Sequence, residues 1–476
     1  MDVLSSLRYF IPELIILKTA FVLLLLDLFV PNKKILGFLG VAGIVAALCF
    51  VRYPTQPLSL FYGFFVLDPF SFFFKITALG IVGISLIASL AYEPHQKTSL
   101  PYLGESNVFF LFLAFGLILM GSSNNLLMIF LSIEFVSILS YLLVGFLKKS
   151  SRSKEAALKY LLFGSTSSGI MLFGMSLLFG MTGEIDLNLI QMKLAQGVAS
   201  PELVFASLLL IMVGLGFKIS MAPFHMWAPD VYEGAPTPVT AFLTVGPKAL
   251  GFAIFLRVLQ TSFLNLHSKW GFLLAALSML TMTIGNVVAI SQTNIKRLLG
   301  YSSIAQAGYI LMGLAVSNQI GLAGVLIYLA AYAFTNLGAF LCVIMVSNHF
   351  GTDEIDSYAG LSERSPFLAF ALTLFLLSLA GIPPLAGFVA KFYVFSSAIQ
   401  GRFFTLAVVA ALNSAVAAFY YFKVVRLMYL VPASNREPLT HPLSLLIAVV
   451  LALAGILAIG IFPGPFIQFV ERALIL

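Results

Sequence analysis

Charge and cysteine are both scarce in this sequence. Only 9% of its 476 residues are charged and 60% are hydrophobic, whereas soluble domains are about half apolar and about a quarter charged. This composition excludes a soluble globular protein and indicates a polytopic membrane protein. The net charge of +7 arises from basic residues in short loops between apolar segments. Membrane topology explains that distribution better than a nucleic-acid-binding surface does.

The sequence also lacks the residue patterns that bind redox cofactors, nucleotides or metal ions. Its two cysteines, Cys49 and Cys342, lie far apart in apolar segments. They form no C-x-x-C motif and cannot ligate an iron–sulfur cluster, and we expect no disulfide between them. The five histidines show no metal-ligand spacing, and neither a Walker A motif nor a G-x-G-x-x-G motif after a strand is found. We therefore expect this chain to bind no cofactor and no metal ion.

Apolar segments long enough to span a bilayer recur along the whole chain. On a requirement of roughly 20 apolar residues per span, they predict an all-α polytopic membrane protein of about fourteen transmembrane helices. No long polar stretch separates these segments, so we expect 1–476 to be a single transmembrane domain. The predicted helices lie near 11–30, 35–51, 69–91, 107–121, 124–147, 155–180, 202–222, 238–260, 271–291, 298–317, 320–348, 366–399, 403–430 and 440–463.

Basic residues are distributed unevenly between the two sets of loops. They are concentrated in the loops and helix ends that would be cytoplasmic if the N-terminus lies outside. By the positive-inside rule, this predicts that both termini lie on the non-cytoplasmic face. The predicted cytoplasmic set comprises Lys33, Lys34, Lys97, Lys148, Lys149, Arg152, Lys154, Lys296, Arg297, Arg364 and Arg436.

Two of the apolar segments are interrupted by proline. Pro223 follows the segment that carries Lys218, and Pro383 and Pro384 precede Lys391 in the twelfth segment. Proline cannot continue a helix undisturbed, because it lacks an N–H and its ring collides with a carbonyl one turn earlier. An unsatisfied carbonyl is costly in hydrocarbon, so a broken helix persists only inside protein or beside water. Each break beside a lysine therefore indicates a hydrated site; the alternative is a kinked helix whose lysine reaches the headgroups.

The two breaks lie five helices apart, which indicates an internal duplication. The first repeat would occupy 105–260 and the second 271–430, after N-terminal helices in 1–104 and before a C-terminal helix in 440–476. Because five is an odd number, the repeats would have opposite orientations, each containing one broken helix. Inverted repeats of this kind place transport sites near the bilayer midplane.

Five ionisable residues lie inside the predicted spans, namely Glu134, Lys159, Lys218, Lys248 and Lys391. Each costs roughly 2.5–3.5 kcal/mol at a helix centre, and such residues usually mark a functional path. A buried lysine whose carboxylate partner can move away changes between charged and neutral forms, which arginine cannot do. These residues are therefore predicted to carry protons. Glu134 is the expected partner of Lys159, Lys218 or both, and a static ion pair is the alternative.

Polar residues in the tenth and eleventh segments could connect Lys248 to Lys391 through water, or they could simply pack the helices. We expect Asp230 and Glu233 to cap a loop. Gly246-Pro247 directly precedes Lys248 and should loosen its helix. The polar residues are Ser302, Ser303, Gln306, Tyr309, Tyr328, Tyr332 and Asn336.

Four sequence blocks resemble subunit N of bacterial respiratory complex I, the proton-translocating NADH:quinone oxidoreductase. They are FKISMAPFHMWAPDVYEGAPTPVTAF, SSIAQAGY, SLAGIPPLAGFVAKFYVF and KYLLFGSTSSG, and the similarity runs in order over 105–430. The resemblance implies an antiporter-like membrane subunit of fourteen helices with inverted repeats. Gln306 stands where many members of the family have histidine. The proton path implied by the resemblance consists of Glu134, Lys159, Lys218, Lys248 and Lys391.

The resemblance also implies partners and a location. Electron transfer would occur in other subunits, which hold NADH, FMN, iron–sulfur clusters and quinone, and this chain would have no redox centre. Its partners would be the other antiporter-like and small membrane subunits, the peripheral redox arm indirectly and the lipid bilayer. The location would be the bacterial cytoplasmic (inner) membrane. The alternatives are a cation/proton antiporter subunit without a redox arm and a structural spacer between pumping subunits.

Overall fold

The computed structural model describes residues 1–92, 103–433 and 437–474, and most of them are helical. Two of the basic residues that predict topology, Lys97 and Arg436, lie outside the described residues. In chain order the helices are α1 (Val3–Leu7), α2 (Ile11–Asp27), α3 (Lys33–Phe50), α4 (Pro69–Leu90), α5 (Leu103–Ser122), α6 (Leu126–Val144), α7 (Ser151–Thr182), α8 (Leu187–Ala195), α9 (Pro201–Ile219), α10 (Ala228–Gly234), α11 (Thr237–Ser262), α12 (His267–Ala289), α13 (Ile295–Val316), α14 (Gln319–Phe350), α15 (Leu361–Arg364), α16 (Pro366–Ala380), α17 (Ala386–Gln400), α18 (Phe404–Leu430), α19 (Leu443–Ile461) and α20 (Pro463–Ala473).

Twelve helices in the described part of the chain are long and apolar enough to cross a membrane. Two further spans are α2, with 17 residues, and the pair α16 and α17, which are separated by residues 381–385. Together they confirm the predicted all-α polytopic fold of about fourteen spans. A short antiparallel hairpin of β1 (Leu58–Leu60) and β2 (Phe65–Leu67) lies between α3 and α4.

The most buried helices are α11, α13 and α14, which form the centre of the bundle. At least 94% of the apolar segment of each is buried, whereas only 33–39% of the apolar segment is buried in α3, α7, α18 and α19. The outer helices present large apolar side chains such as Phe38, Phe173 and Leu412. Since apolar surface is favoured only where water is absent, this outer face suits lipid or neighbouring membrane helices.

The same local structure occurs at two points in the chain. Asn125 caps the start of α6 and pairs in antiparallel fashion with Asp186 after α7. Asn294 caps the start of α13 and pairs in the same way with Glu354 after α14. Both α7 and α14 have 32 residues and end at a glycine in the left-handed conformation. Because α6 is the fifth span and α13 the tenth, the two motifs lie on opposite sides of the membrane, as inverted repeats require.

The two broken helices match each other as well. The first ends with Ser220 in the left-handed conformation (φ 59°), and the second ends with Gly381 (φ 90°). In both cases a second helix, α10 or α17, begins after a short irregular segment. The limits 105–260 and 271–430 for the two repeats stay a prediction.

A buried ion pair joins α4 to α11. The Arg257 guanidinium donates to both carboxylate oxygens of Asp68, at 2.8 and 3.2 Å, and both side chains are only 5% exposed. Asp68 also accepts from the backbone N–H of Ser71 at 2.6 Å and so caps α4. The start of α4 is thereby positioned against the central helix.

We predict that Asp68→Ala lowers the free energy of unfolding by about 3–5 kcal/mol, because it leaves the Arg257 charge buried without a partner. The measurement is the thermal denaturation midpoint of the subunit within its purified membrane assembly. Glu155→Ala is the control, since it removes an exposed ion pair with Lys159 at 2.8 Å. Such a pair contributes at most about 1 kcal/mol. Equal destabilisation by the two substitutions would contradict the prediction.

Candidate functional site

Lys218 lies in the last turn of α9, directly before the first helix break. Its ammonium donates to Ser137 Oγ at 2.7 Å and to the Ile133 carbonyl at 3.5 Å, both on α6. Its side chain is buried. Among the described residues it forms no ion pair, so neutral oxygens alone hold this cation.

Glu134 points towards a different helix. Its Oε1 accepts a hydrogen bond from Ser168 of α7. Residues four apart share a face of a helix, so Ile133 and Ser137 face α9 together while Glu134 is rotated away from them. Within the described part of the chain, Glu134 forms no ion pair with Lys159 or Lys218. The structure therefore does not contain the pairing that the sequence led us to expect.

Lys159 lies near the start of α7 in a charged cluster rather than inside the bundle. Its ammonium contacts Asp230 Oδ2 at 2.7 Å and Glu155 Oε1 at 2.8 Å, and its side chain is 38% exposed. The sequence suggested that Asp230 and Glu233 cap a loop, and this is wrong. Both lie in α10 and pair with Arg297, at 2.8 and 2.9 Å. The cluster lines an open cleft of about 190 Å³.

Lys248 lies in the middle of α11, the central helix. Its ammonium donates to the carbonyl and the hydroxyl of Ser303 on α13, at 2.7 and 2.8 Å. Pro247 lies inside α11, which nevertheless continues as one helix through this position. The expected loosening of the helix is therefore not large enough to interrupt it.

Lys391 lies in the second turn of α17, after the second break. Its ammonium donates to the Ala380 carbonyl at 2.8 Å and to Ser414 Oγ of α18 at 2.9 Å. It also lies 4.7 Å from the centre of the Tyr309 ring, a favourable cation–π distance. Ala380 is the last residue of α16, and the final carbonyls of a helix have no partner within it. The break thus provides the lysine with an acceptor at the negative end of a helix dipole.

A buried hydrogen-bonded network begins beside Lys248. Ser303, which binds Lys248, is preceded in α13 by Ser302. The Ser302 hydroxyl lies 2.5 Å from the Tyr421 hydroxyl of α18. The Gln306 amide nitrogen donates to the same Tyr421 oxygen at 3.2 Å. Polar contacts therefore lead from the central lysine towards the second break.

Gln306 is the centre of this network. Its amide nitrogen also donates to the Leu379 carbonyl at 3.1 Å, which adjoins the Ala380 carbonyl that binds Lys391. Its amide oxygen accepts from the Tyr328 hydroxyl. A small cavity of about 10 Å³ lies beside it, with polar lining residues Gln306, Tyr328, Tyr332, Thr335 and Ser378. The surroundings of Lys248 and Lys391 are thus connected through two pairs of chain neighbours, Ser303 with Ser302 and Leu379 with Ala380.

Most of the predicted polar residues of the tenth and eleventh spans take part in these contacts. Asn336 instead donates to Thr244 Oγ1 of α11 at 2.7 Å, and the Tyr332 hydroxyl has no hydrogen-bond partner among the described residues. The sequence interpretation missed a second set of bonds, in which Asn286 joins Tyr309 at 3.1 Å, Asn413 at 3.2 Å and Tyr420 at 3.0 Å. Asparagine and tyrosine within apolar spans were the signal that could have identified them.

Comparison with known proteins decides the family. The model of the NADH:quinone oxidoreductase/Mrp antiporter transmembrane family matches residues 123–417, which is more than half of the chain. This chain belongs to that family. The resemblance stated from the sequence blocks is confirmed.

Individual members of the family match over nearly the whole chain. NADH-quinone oxidoreductase subunit N of Trichlorobacter lovleyi is 42% identical, covering 98% of this chain and 97% of its own length. F(420)H(2) dehydrogenase subunit N of Methanosarcina mazei is 39% identical, covering 99% of each. A chain of respiratory complex I from Thermus thermophilus with bound aureothin is 30% identical with a TM-score of 0.81, covering 96% of this chain and 98% of its own.

We predict that Tyr421→Phe destabilises this family member by about 1–3 kcal/mol, because Ser302 and Gln306 both lose a buried hydrogen-bond partner. Thermal denaturation in the purified assembly measures this. Tyr358→Phe is the matched control, since the fully buried Tyr358 hydroxyl has no hydrogen bond in the described structure. An equal effect of the two substitutions would show that the Tyr421 contacts do not contribute.

Proposed function

We propose that this chain is a proton-translocating, antiporter-like membrane subunit of an NADH:quinone oxidoreductase (complex I). It couples electron transfer in other subunits to proton movement across the bacterial cytoplasmic (inner) membrane. The observation that carries the proposal is the set of three buried lysines, Lys218, Lys248 and Lys391, which are 3%, 1% and 5% exposed. All three are held by neutral oxygens, so each can lose its proton without leaving a buried carboxylate unpaired.

The proposed route starts at the cytoplasmic cleft beside Lys159 and passes inward to Lys218. Glu134 lies on α6 between the two residues that contact Lys218, Ile133 and Ser137, so its charge acts on Lys218 at short range. The proton then reaches Lys248 on the central helix.

From Lys248 the route follows the buried network around Gln306 to Lys391, which releases the proton on the opposite side. Gln306 does not titrate, so it contributes hydrogen bonds to a water chain instead of carrying the proton. The small cavity beside it has space for about one water molecule, so the side-chain hydroxyls around it would supply the other links of such a chain.

Redox chemistry belongs to the partner subunits in this proposal. They would hold NADH, FMN, the iron–sulfur clusters and quinone, while this chain would contact the other antiporter-like and small membrane subunits. The Methanosarcina relative is named for a different electron donor. We therefore infer that the donor is determined by the peripheral subunits and not by this chain.

The first test is gentle detergent extraction of the native membrane, followed by identification of the copurifying proteins. Flavin and iron–sulfur subunits with NADH:quinone activity would support the proposal. Small membrane proteins alone, together with a sodium-dependent pH gradient in vesicles without an electron donor, would favour a cation/proton antiporter subunit and overturn it.

We predict that Lys218→Ala and Lys218→Arg both decrease donor-driven proton pumping by at least about tenfold, since a positioned proton-transfer group contributes this much or more. Arginine keeps the charge but does not release its proton. Ferricyanide reduction by the peripheral arm should be unchanged. The control Lys193→Ala, in the surface helix α8, should pump normally. Full pumping by an assembled Lys218→Arg variant would overturn the proposed function, because Lys218 would then have only a structural role.

A further inference from the structure

The short helix α10 is held by charged groups from both predicted repeats. One oxygen of Asp230 accepts from Lys159 of α7 at 2.7 Å, and the other accepts from Arg297 of α13 at 2.8 Å. Glu233 repeats this bridge more weakly, with contacts of 2.9 Å to Arg297 and 3.8 Å to the largely exposed Arg152. Two carboxylates of α10 therefore join the two halves of the protein at their predicted cytoplasmic end, and Asp230 makes the shorter contacts.

The end of α10 is fastened separately. The Lys296 ammonium donates to the carbonyls of Glu233 at 2.8 Å and Ala235 at 2.6 Å. These carbonyls have no partner in the helix, and its negative end favours a cation. A Cβ on Gly234 would lie 2.7 Å from the Arg152 carbonyl, so α10 and α7 are in close backbone contact. Movement of α10 thus has to begin at its other end, where Asp230 lies.

An aromatic cluster lies between these charges and Lys218. Trp227, which precedes α10, stacks on Tyr160 at 4.4 Å and contacts Phe217 at 4.9 Å. Tyr160 follows Lys159 in α7, and Phe217 precedes Lys218 in α9. All three aromatic side chains are buried. Because Tyr160 and Phe217 adjoin Lys159 and Lys218 along the chain, their packing on Trp227 would restrict the approach of water from the cleft to Lys218.

Trp227 also carries a buried polar atom, the indole Nε1. Its indole Nε1 has no hydrogen-bond partner among the described residues, although Trp227 is only 2% exposed. Buried N–H groups are nearly always hydrogen-bonded, to protein or to water. An unpaired donor in this cluster is expected if the packing alternates with a hydrated arrangement.

We infer that Asp230 is a positioning residue that controls access of protons to Lys218. While Asp230 binds Lys159 and Arg297 together, α10 and Trp227 remain packed and the cytoplasmic side of Lys218 is closed. When either cation leaves, α10 moves, the aromatic cluster opens and water reaches Lys218. This inference rests on the proposed function and adds to it the gate on the uptake side.

Glu155 provides a matched control for Asp230. It binds the same Lys159 ammonium at 2.8 Å, but from the same helix and with an exposed side chain. Removing the Glu155 carboxylate deprives Lys159 of one of its two ion pairs, but it leaves the contacts of α10 with α7 and α13 intact. A general loss of negative charge would affect both variants, whereas loss of the gate affects only Asp230→Asn.

The test measures water access to Lys218 in inside-out vesicles that contain the whole complex. Ser220→Cys, in a subunit with Cys49→Ser and Cys342→Ala, places a reporter thiol at a buried position two residues from Lys218. A membrane-impermeant maleimide is added, and labelling is read on the isolated subunit. Asp230→Asn should raise the labelling rate roughly tenfold, the effect of losing one charge-assisted contact, and Glu155→Gln should not change it.

Passive proton leak without an electron donor gives a second readout that needs no reporter cysteine. Asp230→Asn should increase the proton leak. Asp230→Glu and Glu155→Gln should both show the low leak of the unsubstituted protein. Equal labelling and equal leak in Asp230→Asn and Glu155→Gln would overturn the inference. If Asp230→Asn does not assemble, Lys159→Gln breaks the same contact, and unchanged labelling there overturns it as well. Full pumping by Lys218→Arg would overturn the proposed function instead.

Discussion

The structure depends on one constraint, which is that every backbone polar group inside hydrocarbon needs a partner. Two helices are interrupted within the bundle, and side chains from other helices satisfy the groups released there. Lys391 and Gln306 occupy adjacent carbonyls at the end of α16. At the first break, the Ala222 N–H donates to Thr281 of α12 at 3.0 Å. Polar side chains therefore lie at the interruptions, where they bond to backbone groups that would be paired within an intact helix.

The charged groups near the two helix breaks are of two kinds. In the described bundle core, Lys218, Lys248 and Lys391 meet hydroxyl and carbonyl oxygens, whereas Asp230 and Glu233 lie at the end of the bundle and pair with cations. A lysine bound to neutral oxygens can change its charge at lower cost than one in a buried ion pair, because no carboxylate is left behind. The central lysines therefore suit proton transfer, and the peripheral pairs suit control of geometry.

Much of the fold could be predicted because span length, helix breaks and loop charge are local properties of the chain. Lys248 and Gln306 could be singled out for the same reason, since a polar residue in an apolar helix is visible without knowledge of its neighbours. The partner of Glu134 could not be predicted. Rotation of α6 by one residue decides whether position 133 or position 134 faces α9, and hydrophobic periodicity is weak in a helix that is apolar on all sides.

The sequence by itself determined an all-α membrane protein with two interrupted helices, and it supplied the lysines of the candidate path. These features follow from composition and from the backbone chemistry of proline, which do not depend on how the helices pack together. Only the tertiary structure decided that Lys159 pairs with Asp230, that Arg297 shares this carboxylate and that Tyr421 joins Ser302 to Gln306. Each of these contacts joins helices far apart in sequence, and distances between helices are set by packing of the whole bundle.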